Sequence, residues 1–362
     1  MARKTGGEDR AAALQRLKAA LKTGDVGNFY VFFGEEAFLK EHYWRMLEKK
    51  LLDGPAAEFN FHRFNAETLS PQALSEAVDA MPMMAERTLI RVDDVDFFKQ
   101  AEGAREQYRT IFADLPEYCC LVLYYDTAEW KPNGTMRKLN EVFQTKCERV
   151  EFGKQSERDL VAWIQRHFKA HEKWADDRLC QYLIFLTDGT MTTLAGEIEK
   201  VASYAKGQEI TKGDMDAVVI PALSAQTFDI SNAIADGNYD AALRKLQDLY
   251  AMQTEPILIL GAIGSQLRRL LYAKTVMNAG QGQQALMELT GMKSYPAGLT
   301  MNAARRVGDG FCRRAVELCL HCDTLTDCRP TPAGNPDTLD DPERVLEVLL
   351  AALAQEARSG TR

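Results

Sequence analysis

The chain has 362 residues, enough for two or three domains of roughly 100–200 residues each. Its 46% hydrophobic and 27% charged residues are those of an ordinary globular protein. A formal charge of -8 argues against general polyanion binding and leaves room only for local basic patches. The opening MARKTGGEDRAAALQRLK lacks the apolar core of a signal peptide, and the strongest apolar run, PILILGAIG at 256–264, is too short to span a bilayer. No membrane association and a cytoplasmic location are therefore expected.

In chain order, residues 10–22 read as a short amphipathic helix. A strand over 28–33 (NFYVFF) turns through Gly34-Glu35-Glu36 into the helix AFLKEHYWRMLEKKLL. A strand at 60–64, a helix at 71–80, a strand at 88–92 and a helix at 100–113 follow. The strand CCLVLYY at 119–125, a helix at 136–143 and a strand at 149–152 complete the pattern. Short apolar runs alternating with helix-length segments indicate a parallel sheet covered by helices on both faces, an α/β domain over residues 1–152.

From Ser156 onward the period is helical. Ser156 is placed to cap the helix ERDLVAWIQRHFKAH, with Glu157 and Asp159 setting negative charge at its positive end. Helices are expected at 176–187, 194–205 and 212–218, giving a helical domain over 153–222 that ends at the Pro221 break. A second all-helical domain over 223–362 should hold helices at 228–235, 239–251, 255–279, 305–322 and 342–357, with a proline- and glycine-rich loop at 327–337.

Eight cysteines in a chain of this kind read as reduced thiols. Cys312, Cys319, Cys322 and Cys328, with His321 among them, could suggest zinc. However, Cys312, Ala315, Val316, Cys319 and Cys322 follow the three-and-four spacing of one apolar helix stripe, where cysteine behaves as a small hydrophobe. No metal site and no cofactor are assigned.

A strand, a glycine turn and a helix at the start of an α/β domain is where a phosphate-binding loop would sit. Laid on GxxxxGK[ST], the segment GEEAFLKE keeps the first glycine, Gly34, and the lysine, Lys40. Leu39 stands where a second glycine would let the backbone approach phosphate, and Glu41 replaces the hydroxyl that would hold magnesium. Glu35 and Glu36 add repulsion toward a triphosphate. The loop reads as degenerate and no intrinsic catalysis is expected. The strand LIRVDD ends in acids, as do magnesium-holding strands, but Asp93 and Asp94 equally suit caps and turns. Residues 194–205 contain no arginine that could sense a γ-phosphate.

FYVFFGEEAFLKE, MPMMAERTLIRVDD, SERDLVAWI, LTDGTMTTLAGEIEKVASYA and EPILILGAIGSQLRRLL, in this order and spacing, resemble the delta subunit of bacterial DNA polymerase III over essentially the whole chain. The resemblance implies an ATPase-like domain of the AAA+ type without a working nucleotide site, then a small helical lid and a helical collar that serves oligomerisation. It implies a non-catalytic subunit of the clamp loader, which binds the sliding clamp (beta) and helps open it for loading onto primed DNA. The implied partners are the tau/gamma and delta prime subunits and primer-template DNA, in a replisome at the nucleoid whose overall activity is nucleotidyl transfer. It further implies that Pro82, Met83 and Met84 contact an apolar pocket on the clamp; of the three methionines Met81, Met83 and Met84, Met81 is expected to be the buried one. By burial statistics alone, methionines at a helix end would be core.

Arg268, Arg269 and Lys274 form a basic group on one expected helix and are candidate contacts to DNA phosphates in the assembled loader. Such groups are otherwise solvated faces or partners for the chain's 52 acids. Two other readings remain open: an active ATPase of the same fold, and a helical adaptor outside replication.

Overall fold

The computed structural model describes residues 5–52, 54, 56–325 and 342–359. It divides into two compact units, Met1–Gln155 and Ser156–Arg362. The first contains α1 (Thr5–Thr23), β1 (Phe29–Phe33), α2 (Ala37–Leu51), a 3-10 turn (Ala57–Asn60), β2 (Phe61–Phe64), α3 (Pro71–Asp79) and β3 (Thr88–Asp93). It continues with α4 (Glu102–Ala113), β4 (Cys119–Tyr124), α5 (Arg137–Thr145) and β5 (Glu148–Glu151).

The five strands form one parallel sheet in the order β2-β3-β4-β1-β5. Composition explains the order. The inner strands FYVFF and CCLVLY are nearly continuous apolar runs, as burial on both faces demands. The edge strands FHRF and ERVE carry charged or polar side chains that discourage further strand pairing. Alternate side chains serve two cores. Phe29, Val31, Ile90, Val92, Leu121 and Leu123 pack with α3, α4 and α5, while Tyr30, Phe32, Leu89, Val122 and Val150 pack with α1 and α2. The fold is a parallel α/β sheet domain followed by helices, as the strand and helix periods indicate.

The second unit is helical. Its first part holds α6 (Glu157–Ala170), α7 (Asp177–Leu186), α8 (Met191–Tyr204) and α9 (Lys212–Val218). Ser156 Oγ accepts from the Asp159 N–H, Asp176 caps α7, and Thr211 with Asp214 forms a capping box on α9. Then come α10 (Leu223–Ala235), α11 (Tyr239–Ala251), α12 (Pro256–Asn278), α13 (Gln283–Thr290), α14 (Ser294–Arg306), α15 (Asp309–Leu325) and α16 (Pro342–Ser359). Cys312, Cys319 and Cys322 are buried on α15, in the core as their spacing indicates. Cys328 and the expected loop at 327–337 lie outside the described residues.

Two helices escape the sequence reading, and one expected helix is really two. α13 is short and lies between Gly282 and Gly291. α14 carries Pro296 and Gly298, yet proline is tolerated in a first turn because those N–H groups have no intrahelical acceptor. The expected helix at 305–322 is interrupted by extended Val307 and by Gly308, so Arg305 and Arg306 belong to α14. A side chain from elsewhere supports α14: the Glu157 carboxylate accepts from Ser294 N–H (2.9 Å) and Ser294 Oγ (2.6 Å). A carboxylate at a helix N-terminus also meets the positive end of the helix dipole.

Candidate functional site

The loop after β1, the acids after β3 and the residues after β4 all lie at the carboxyl edge of the sheet, where open α/β sheets bind ligands. Here the chain's own groups engage one another across that edge. Gly34 has φ +115°, and a Cβ there would lie 2.4 Å from the Phe152 carbonyl oxygen. The glycine thus allows the loop to lie against the chain that follows β5. Glu36 N–H donates to that same Phe152 carbonyl at 2.9 Å. A backbone donor that a phosphate cradle would offer to its ligand is already committed.

Lys40 is only 1% exposed; its Nζ donates to the Tyr125 carbonyl at 2.6 Å and lies 3.2 Å from Asp126 Oδ1. Glu41 and Asp93 stand where an active nucleotidase would hold magnesium, and the Arg91 guanidinium lies between them. Its Nε is 2.7 Å from Asp93 Oδ1 and its Nη1 is 3.9 Å from Glu41 Oε2. The same guanidinium stacks 3.8 Å from the Tyr124 ring centre and 4.7 Å from that of Trp44. Arg63 adds a second cation on Asp93 at 2.6 Å. Among the described residues, no group of three or more His, Cys, Asp or Glu could hold a metal ion.

Asp94 acts as a turn former. It sits at φ +54°, and its carboxylate accepts from the N–H groups of Asp126, Thr127 and Ala128 and from the Thr127 hydroxyl. Burial raises the carboxyl pKa, but the hydrogen bonds from Ala128, Thr127 and Asp126 outweigh it and leave the group below its ordinary value.

The methionine segment lies in the connection from α3 to β3. Met81 is 76% exposed, Met83 53% and Met84 85%. The expectation that Met81 is the buried member fails: α3 ends at Asp79, before the apolar stripe reaches it. Pro82 is half-buried. Met84 has φ +50°, a left-handed conformation uncommon outside glycine. The anchor of the segment is Asn60, missed by the sequence reading because it was taken as the first residue of a strand. Asn60 closes the 3-10 turn instead, is 1% exposed, and exchanges hydrogen bonds with both the N–H (2.7 Å) and the carbonyl (2.9 Å) of Met83. Phe59, its neighbour, is also exposed. The "EFNF" sequence offered one signal, an asparagine where a strand favours β-branched or aromatic residues.

The basic group on α12 does not form one face. Arg268 is exposed, with Nη2 3.2 Å from Ser265 Oγ. Arg269 is half-buried, donates to Gln266 and has its pKa lowered by burial. Lys274 Nζ donates to the Ala304 and Val307 carbonyls (3.1 and 2.7 Å), closing the end of α14. Other arginines of this helical unit are paired with acids: Arg306 meets Asp236, Arg313 meets Asp309 and Arg314 meets Glu317.

Residues 30–147 match the family model "DNA polymerase III, delta subunit", and residues 224–326 match "DNA polymerase III delta subunit, C-terminal domain". The chain belongs to the DNA polymerase III delta-subunit family. DNA polymerase III subunit delta of Bacillus subtilis is 23% identical over 305 residues, 82% of this chain and 87% of that protein. The solved structure of the Bacillus subtilis DNA clamp loader delta protein shares the fold, with a TM-score of 0.58 at 20% identity, covering 94% of this chain and 99% of the other. As a delta-family chain, it has a role in replication, with the clamp loader. No helix among the described residues is long and apolar enough to cross a membrane.

Proposed function

We propose that this chain is a non-catalytic clamp-loader subunit that contacts the sliding clamp through Pro82, Met83 and Met84 and helps open it for loading onto primed DNA. The observation that carries the reading is the methionine segment: large apolar side chains held out to solvent on a fixed stretch of backbone. Exposed apolar groups of this kind mark interaction surfaces, and methionine adapts to an apolar pocket. The internal bonds of Lys40, Asp94 and Glu36 support the absence of ATP chemistry, leaving hydrolysis to other subunits of the loader.

Within this reading, residues 153–222 serve as the lid and 223–362 as the collar that joins the tau/gamma and delta prime subunits. The assembled loader holds primer-template DNA, and the exposure of Arg268 supports it as the phosphate contact of its basic group. The test is Met83→Asp with Met84→Asp, measured on one preparation for clamp affinity and thermal unfolding. Charge introduced into an apolar pocket should weaken clamp binding at least about tenfold, with unfolding unchanged because the side chains carry no core. Full clamp affinity in the double variant would refute the assignment.

A further inference from the structure

We propose that Asn60 is a positioning residue for the clamp contact: it holds the methionine segment in its binding shape before the clamp arrives. The inference rests on the reading of Met83 and Met84 given above and adds to it the residue through which they act. Asn60 comes from the 3-10 turn before β2, 23 residues earlier in the chain. Its amide has almost no accessible surface, and its bonding capacity is spent on backbone. Nδ2 donates to the Ala56 carbonyl at 3.0 Å and to the Met83 carbonyl at 2.9 Å, while Oδ1 accepts from Met83 N–H at 2.7 Å.

Pairing both polar groups of Met83 with one side-chain amide fixes that residue as a neighbouring strand would. The chain between α3 and β3 has no regular structure of its own. Met84, the next residue, is in a left-handed conformation that a non-glycine residue keeps only where its surroundings enforce it. Without the amide, the backbone could relax and the exposed methionines could turn onto the nearest apolar surface. The clamp would then have to order the segment on binding, and that cost subtracts from affinity. The lock itself contacts no partner.

The test uses the full chain and the purified sliding clamp of the same organism, in a cycle of Asn60→Ala, Met83→Ala with Met84→Ala, and the triple variant. Asn60→Ala should weaken clamp binding about tenfold, equivalent to about 1.4 kcal/mol. In the background lacking both methionine side chains the same substitution should cost less than about twofold, because there is nothing left to position. A purely structural role would give the same loss in both backgrounds, and that result would overturn the proposal. So would wild-type affinity in Asn60→Ala when the methionine variant binds weakly. Should the methionine variant bind normally, the clamp-contact reading itself fails and this inference with it. Amide hydrogen exchange on the unsubstituted chain needs no variant to fold: the Met83 N–H should be protected in the free protein, and exchange at the unfolded rate would rule the lock out.

Discussion

The Lys40 ammonium lies 2.6 Å from the carbonyl oxygen of Tyr125, at the end of the neighbouring strand, and its side chain is almost wholly buried. In a working phosphate loop this lysine would reach for a nucleotide. Here it ties α2 to the chain that leaves β4, and its substitution should be read in stability. Lys40→Ala removes a packed stem and leaves the Tyr125 carbonyl without its donor, at a cost of about 2–4 kcal/mol. Urea unfolding measures that loss, while calorimetry with magnesium and ATP should show no saturable heat before or after the change. A stable variant whose parent binds ATP would restore the nucleotidase reading.

Gly34 invites the same comparison. In an active loop, glycine leaves room for phosphate; here it leaves room for the Phe152 backbone. Gly34→Ala combines a left-handed φ with a clash against main chain that cannot swing aside. The expected destabilisation is at least about 3 kcal/mol, seen as a lower unfolding midpoint in urea. An unchanged midpoint would mean the loop does not lie against Phe152.

Asp94 supplies a pH-dependent contribution whose sign is fixed. Its folded pKa lies below the ordinary 3.8, so the carboxylate stabilises the fold above that value and loses the contribution as pH falls through the folded value. Asp94→Asn keeps a side chain that tolerates φ +54° and removes the charge. At pH 7 the variant should be less stable by about 1 kcal/mol, a figure kept small because the group is partly exposed. The difference should hold from about pH 5 to 8 and shrink toward zero in acid. Urea midpoints that differ equally at all pH values would contradict this role.

Glu157 joins the first turn of α6 to the first turn of α14. Glu157→Ala removes both acceptors of Ser294 and the charge at the α14 N-terminus, at a cost of about 1–2 kcal/mol. Glu157→Gln should recover part of that, since one oxygen remains. Amide exchange at Ser294 should accelerate in the alanine variant more than at buried α12 amides. Equal acceleration throughout would indicate global rather than local opening.

What depends on pattern was legible in the chain alone. Apolar runs of strand length and the cap at Ser156 placed the α/β architecture and the start of α6, because these signals are local. The odd residues of the phosphate loop, Leu39 and Glu41, were likewise visible in the sequence. Packing in three dimensions settled where polar atoms find partners. It gave Lys40 to Tyr125, Arg91 to Asp93 and two aromatic rings, Lys274 to the end of α14, and Asn60 to Met83. Each of these pairings joins residues distant in sequence or depends on packing, so no period or spacing records it. The same reason accounts for α14, whose sequence contains Pro296 and Gly298, and whose N-terminus is capped by a carboxylate 137 residues away.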